Sequence, residues 1–176
     1  MGRSGATGLV TLRPAPMHAG RTPWPFYAAG FARTSRLIRP SGYYRLKTKR
    51  LRNFISYMLG RYGGSYRRMK NVPLGRLRDE FLSINGIGPE TADSILLYAL
   101  GKPVFVVDAY TKRAFARHGF VAQTAEYREI QAVCMKSLPC DAEMFNEYHA
   151  LIVKLGKVYC LKNNPRCGQC PLKNEK

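Results

Sequence analysis

Apolar residues recur at steps of three and four along most of this chain, the repeat of amphipathic helices, and strand signals are scarce. With Gly or Pro near most junctions, the pattern predicts helices at about 47–61, 73–82, 89–100, 109–118, 125–137 and 141–160, an all-α architecture. The third of these opens on Pro89, a residue suited to a first helical turn, and directs Ala92, Ile95, Leu96 and Ala99 inward. Gly86 and Gly88 stand just before it. One apolar run, Val104-Phe-Val-Val, ends on a single carboxylate, Asp108. At 176 residues and 45% hydrophobic the chain can bury a core as one globular domain, and no run is long enough to span a bilayer. Three segments are expected: a basic, irregular tail over 1–36, a helical domain over 37–159 and a cysteine loop over 160–176.

Without a Cβ, Gly86 and Gly88 allow a turn with positive φ and a close approach of backbone N–H groups to a ligand. The helix beyond them aims its unpaired N–H groups and the positive end of its dipole at the same place, which makes an anion site. A bare Gly-x-Gly is more often an ordinary corner between two helices. Its surroundings are more specific. Asn85-Gly-Ile-Gly-Pro-Glu-Thr-Ala-Asp, with Val106-Val-Asp-Ala-Tyr-Thr-Lys-Arg about twenty residues on, resembles the helix-hairpin-helix and aspartate signature of the endonuclease III superfamily of DNA glycosylases. The resemblance runs from about Leu37 to the C-terminus. Around the hairpin and along Asn146-Glu-Tyr-His-Ala-Leu-Ile-Val-Lys-Leu-Gly-Lys it is nearest to the endonuclease III-related, 3-methyladenine-type branch.

The resemblance implies a helix-hairpin-helix DNA glycosylase fold and a DNA repair activity in which Asp108 is catalytic. Breaking an N-glycosidic bond builds positive charge on the deoxyribose, so a fixed anion near C1′ and a base for the attacking water are what the reaction needs. Asp108 fits, held at the end of an apolar run where electrostatic stabilisation counts for more than in water. As an aspartate before Ala109-Tyr-Thr-Lys it also suits a helix cap, and the two roles are compatible. Bifunctional members of the family carry a lysine just after the glycine turn, whose amine attacks C1′. Glu90 stands at that position, and no lysine occurs between Arg78 and Lys102. A carboxylate forms no imine, so the expected reaction is base release without strand cleavage. Two roles are open to Glu90, a wall of the base pocket or a favourable charge at a helix N-terminus.

The flipped base must stack on something, and an alkylated, cationic purine would favour electron-rich rings. Tyr43, Tyr44, Tyr98 and Tyr110 are candidates; Tyr110, nearest in sequence to Asp108, joins Glu90 as an expected base-pocket residue. DNA contacts are expected from Gly86, Ile87, Gly88, Glu90 and Thr91 of the hairpin and from Lys112. His149 is expected to pack within its helix rather than bind metal.

Charge supports a nucleic-acid partner. The net charge is +18, and all 11 acidic residues lie at or beyond Asp79, whereas 17 of the 29 Lys and Arg precede it. Duplex DNA would feel that half strongly and in a salt-dependent way. Arg45, Lys47, Lys49, Arg50 and Arg52 alternate with Leu46, Leu51, Phe54 and Ile55, which predicts a helix with a basic face carrying Lys47 and Lys49 to DNA and a buried face opposite.

Two departures from the family pattern bear on the termini. Cys160, Cys167 and Cys170 resemble the family's iron–sulfur loop and are the expected metal ligands, but a 4Fe-4S cluster normally takes four cysteines and position 176 is a lysine. Either the chain is cut short, or an outside ligand completes the cluster, or no cluster forms. Cys134 and Cys140 fall too early to substitute. At the other end, residues 1–36 hold Pro14, Pro16, Pro23 and Pro25 where the family has helices, and this segment reads as a frame-shifted or truncated start, a basic DNA-binding arm or a transit peptide. Free thiols point to a reducing, intracellular setting such as cytoplasm or nucleoid. The expected function is thus a monofunctional glycosylase acting as a monomer on double-stranded DNA with a damaged base, away from membranes. Its rivals are a non-catalytic DNA-binding remnant and a bifunctional glycosylase/AP lyase using Lys112 or Lys102.

Overall fold

A computed structural model describes residues 30–175, which form helices and turns with no strand among the described residues. The all-α expectation holds. The chain divides into two compact units at the sequence boundary between Ile87 and Gly88. Among the described residues no helix is long and apolar enough to cross a membrane.

The first unit contains α1 (Gly30–Leu37), α2 (Tyr44–Tyr62), α3 (Tyr66–Lys70) and α4 (Leu74–Leu82). The tail expected over 1–36 lies outside the described residues as far as residue 29, but its last residues are helical, contrary to the expected irregularity. Between Pro25 and Pro40 no proline interrupts the chain, so α1 can form there. Its polar Thr34 and Ser35 are buried, and Ser35 Oγ donates to Thr48 Oγ1 of α2 at 3.0 Å. That bond explains a second correction. The inward face of α2 is Thr48, Ile55, Met58 and Tyr62, while Leu46, predicted apolar-side, is 48% exposed. Phe54 meets Phe81 of α4 edge to face at 5.6 Å, and Glu80 accepts from the hydroxyls of Tyr57 and Tyr62.

The second unit begins with α5 (Pro89–Ser94), which runs on into a π-helical turn (Ile95–Ala99). In that turn Leu100 N–H bonds the carbonyl of Ile95, five residues back, at 3.2 Å. The extra residue rotates the last turn, so the buried set is Ala92, Asp93, Leu96, Leu97 and Leu100, whereas Ala99, predicted inward, is exposed. The run Val104–Val107 is buried throughout and has no regular secondary structure. After it come α6 (Ala109–Arg117), α7 (Tyr127–Ser137) and α8 (Ala142–Val158), within a residue or two of the predicted ranges.

Helix α8 directs Phe145, His149, Ile152, Leu155 and Gly156 inward, a stripe at four-, three-, three- and one-residue steps. Gly156 is there for space. A Cβ at this position would fall inside the contact distance of the Tyr110 ring and 2.8 Å from Tyr110 Cβ, so α6 and α8 pack closely only because the side chain is missing. Replacing Gly156 by Ala therefore overpacks the contact, and we expect a loss of about 1–3 kcal/mol of stability. A thermal melt checks this: Gly156→Ala should melt several degrees lower, and Gly156→Ala combined with Tyr110→Ala should not add the two single losses.

Candidate functional site

Asp108 caps α6. Its Oδ1 accepts from the backbone N–H of Thr111 at 2.8 Å and from the Thr111 hydroxyl at 2.9 Å. These bonds occupy one carboxylate oxygen and leave Oδ2 for other work. What holds Asp108 in place lies upstream. Tyr127 of α7 donates from its hydroxyl to Asp93 Oδ2 at 2.8 Å, and that hydroxyl oxygen in turn accepts the Val107 backbone N–H at 3.4 Å. Gln131, one turn on, donates from Nε2 to Asp93 Oδ2 at 2.7 Å and to the Phe105 carbonyl at 2.6 Å. The apolar run ending at Asp108 is thus pinned at residues 105 and 107 to a fully buried carboxylate on α5.

Around Asp108 Oδ2 the fold gathers three further groups. His149 of α8 places Nε2 at 3.7 Å from it, and both side chains are nearly closed to solvent, at 6% and 10% accessible. The other ring nitrogen, Nδ1, lies 2.5 Å from the Tyr98 hydroxyl. Burial pushes the His149 imidazole below its ordinary value of 6.5, and the Asp108 charge pulls it back only in part. Burial, then the charges of Asp108 and Glu90, push Tyr98 up, so its hydroxyl stays protonated. Glu90 is exposed by surface area but crowded enough that desolvation, with repulsion from Asp108 second, raises its carboxyl. Of the residues expected to act together, the structure brings Asp108 and Glu90 into one electrostatic neighbourhood and adds Tyr98.

The Tyr110 ring packs on Gly156 of α8, with the Arg113 guanidinium at 5.1 Å from the ring centroid. His149 is the member that sequence reasoning assigned to packing alone. Its signal was present: a titratable ring on the otherwise apolar stripe of α8.

The hairpin residues are placed as the glycines require. Gly86 has φ +95°, and a Cβ there would strike the Arg50 side chain of α2. Asn53 Nδ2 donates to the Asn85 carbonyl at 2.8 Å, holding the turn's first half against α2. Ile87 N–H closes the turn on the Ile84 carbonyl at 3.0 Å. In the second unit Gly88 is extended and caps α5, with Glu90 and Thr91 exposed in its first turn. Lys49 and Lys112 are exposed, whereas Lys47 donates from Nζ to the Ser41 carbonyl at 2.5 Å.

The cysteines differ from expectation. Among the described residues no three His, Cys, Asp or Glu side chains come together as a metal site, so Cys160, Cys167 and Cys170 are not gathered as cluster ligands. Arginines hold this end of the chain instead. Arg117 donates to Cys160 Sγ at 3.3 Å and to the Leu161 carbonyl at 2.7 Å, and Arg113 donates to the Cys160 carbonyl at 2.7 Å. Cys134 is a buried thiol pushed up to about 12 by burial, and Cys140 is exposed.

The His149 shift has a measurable sign. The unfolded chain takes up a proton near pH 6.5 and the folded chain only below it, so the stability tied to neutral His149 is complete above pH 6.5 and is lost as pH falls through the folded value. Glu90 runs the other way: with its value raised above 4.5, its contribution is complete below pH 4.5 and is lost as pH rises through the folded value. Urea unfolding from about pH 7 to about pH 5 should therefore show a smaller loss of stability in His149→Gln than in the wild type, and parallel curves would refute the assignment.

Comparisons with known proteins bear on the family and the fold. A model of the HhH-GPD superfamily of base excision DNA repair proteins matches residues 17–140. A Methanocaldococcus jannaschii protein, provisionally named a DNA repair glycosylase, is 51% identical over 138 residues, 78% of this chain and 62% of that protein. Endonuclease III of Bacillus subtilis is 30% identical over 135 residues, 77% of this chain and 57% of that one. The chain thus spans about three fifths of the length of these relatives. An endonuclease III solved in a non-covalent complex with DNA superposes with a TM-score of 0.70 at 28% identity, covering 85% of this chain and 65% of that one. A Helicobacter pylori 3-methyladenine DNA glycosylase bound to 1,N6-ethenoadenine gives a TM-score of 0.63 at 28% identity, covering 74% and 65%. The glycine hairpin, the capped aspartate after it in the chain and a family match over most of the sequence agree, and the chain belongs to the HhH-GPD superfamily of base excision DNA repair proteins.

Proposed function

We propose that this chain is a DNA glycosylase that hydrolyses the N-glycosidic bond of a damaged, alkylated purine in double-stranded DNA and leaves the strand intact. The observation that carries the reading is Asp108, whose Oδ1 is fixed by the α6 cap while Oδ2 stands in a nearly closed setting beside a neutral imidazole. As the bond to the flipped base lengthens, positive charge grows on the sugar, and a carboxylate that needs no reorganisation stabilises it. The same oxygen accepts the proton of the attacking water. The base leaves with the bonding electron pair.

Position 90 supports the monofunctional half of the reading. Where bifunctional relatives place an amine, this chain places a carboxyl that feels the charge of Asp108, so the side chain there is near the reaction and cannot form an imine. The likeness to a glycosylase crystallised with an alkylated adenine points to the same substrate class. The first turn of α5, the exposed Lys49 and Lys112 and the positive charge of the first 78 residues are suited to the phosphates of a duplex.

Base release should be followed on duplexes carrying 3-methyladenine, an oxidised pyrimidine or uracil, with and without alkali. The wild type should give breaks at 3-methyladenine only after alkali, and Asp108→Asn, which keeps the helix cap, should slow release by about 100-fold or more with duplex binding retained. Equal rates in the two proteins would remove Asp108 from the chemistry. Tight, salt-sensitive binding with no release from any lesion would favour the DNA-binding remnant.

A further inference from the structure

The contact chain from Tyr98 through His149 to Asp108 is longer than the hydrolysis needs. His149 is 4% exposed, and its Nε2 has no hydrogen-bond partner among the described residues although it faces Asp108 Oδ2. Their separation of 3.7 Å is too long for a direct hydrogen bond. It does suit one shared oxygen, because two atoms so spaced can both lie at about 2.8 Å from a single water. Charge decides the position of the ring proton. If the Tyr98 hydroxyl donates to Nδ1, Nε2 carries the proton and presents a donor to the Asp108 side; the other tautomer would aim a lone pair at a carboxylate.

We propose that His149 is a further residue of the site, which holds the attacking water against Asp108 through its Nε2–H while Tyr98 fixes the ring from Nδ1. The proposal rests on the glycosylase reading of Asp108. The water accepts one hydrogen bond from Nε2–H and donates another to Asp108 Oδ2, and its free lone pair is directed at C1′. As the C1′–O bond forms and the C1′–N bond breaks, the electron pair leaves with the base and the water's proton passes to Oδ2 and then to solvent. The π-helical turn is what makes this possible, since it sets Tyr98 where its hydroxyl reaches a ring on α8. His149 does not attack the sugar; its work is to orient the water.

Single-turnover base release and duplex affinity should be measured for His149→Asn, His149→Gln and Asp108→Asn on whichever of the three lesion duplexes the wild type processes. A Gln side chain carries its amide N–H to about where Nε2 lies, whereas Asn reaches only the Nδ1 side. His149→Asn should slow release about 100-fold with affinity unchanged, and His149→Gln should recover to within about 10-fold of the wild type. Asn and Gln slowing release equally would mean a packing role, and wild-type rates in both would mean no role; either overturns the proposal. A fully active Asp108→Asn would instead overturn the reading of Asp108 on which it rests.

Discussion

The buried carboxylate of Asp93 is the interaction on which the second unit depends. A fully buried acid is costly unless its oxygens are satisfied, and here one oxygen takes hydrogen bonds from both Tyr127 and Gln131. Those donors are not passive. Through Tyr127 Oη and Gln131 Nε2 they also reach the backbone at Val107 and Phe105, so one network joins α5, α7 and a segment that has no strand partner among the described residues. Backbone groups that a sheet would satisfy are satisfied by side chains instead. The result is a rigid approach to Asp108 from a piece of chain with no regular structure of its own.

A second constraint acts at the site. Three acidic or phenolic groups and one imidazole share a space where Asp108 and His149 are nearly closed to water, and their mutual effects run in a consistent direction: Glu90 and Tyr98 are pushed toward their protonated forms, and His149 toward its neutral one. In the proposed reaction Asp108, with Oδ1 held by the α6 cap and Oδ2 outside it, is the carboxylate that the developing cation would meet. Preorganisation of this kind is what an oxocarbenium-like transition state rewards, because the dipoles and charge are set before the bond breaks.

Much of this was legible in the sequence. Spacings of three and four located α5, α6, α7 and α8, the Gly86-Ile-Gly88 turn was readable from its glycines, and the order of Asp108 and Thr111 matched a helix cap. What sequence could not supply was contact at a distance. The π-helical turn replaced an inward Ala99 with an inward Leu100, because one residue more than the ideal repeat was fitted between Ile95 and Leu100. His149 looked like a member of a packing stripe because no local pattern says that Tyr98, 51 positions away, holds it. The packing of the Tyr110 ring on Gly156, 46 positions away, was likewise not readable from the local sequence. The cysteine spacing resembled a cluster loop, and no local pattern announced that Arg113 and Arg117 would bond Cys160 and Leu161 from more than 40 residues away.

In the proposed reaction water, directed at C1′ beside Asp108, is the nucleophile, and no amine of the protein takes its place. The most direct measurement is the mass of the lesion strand and of the protein after one turnover quenched with borohydride. The account predicts free base, an intact strand bearing a reduced abasic sugar and protein of unchanged mass. A protein–DNA adduct, or a strand already cut at the lesion, would contradict it and move the nucleophile to a lysine.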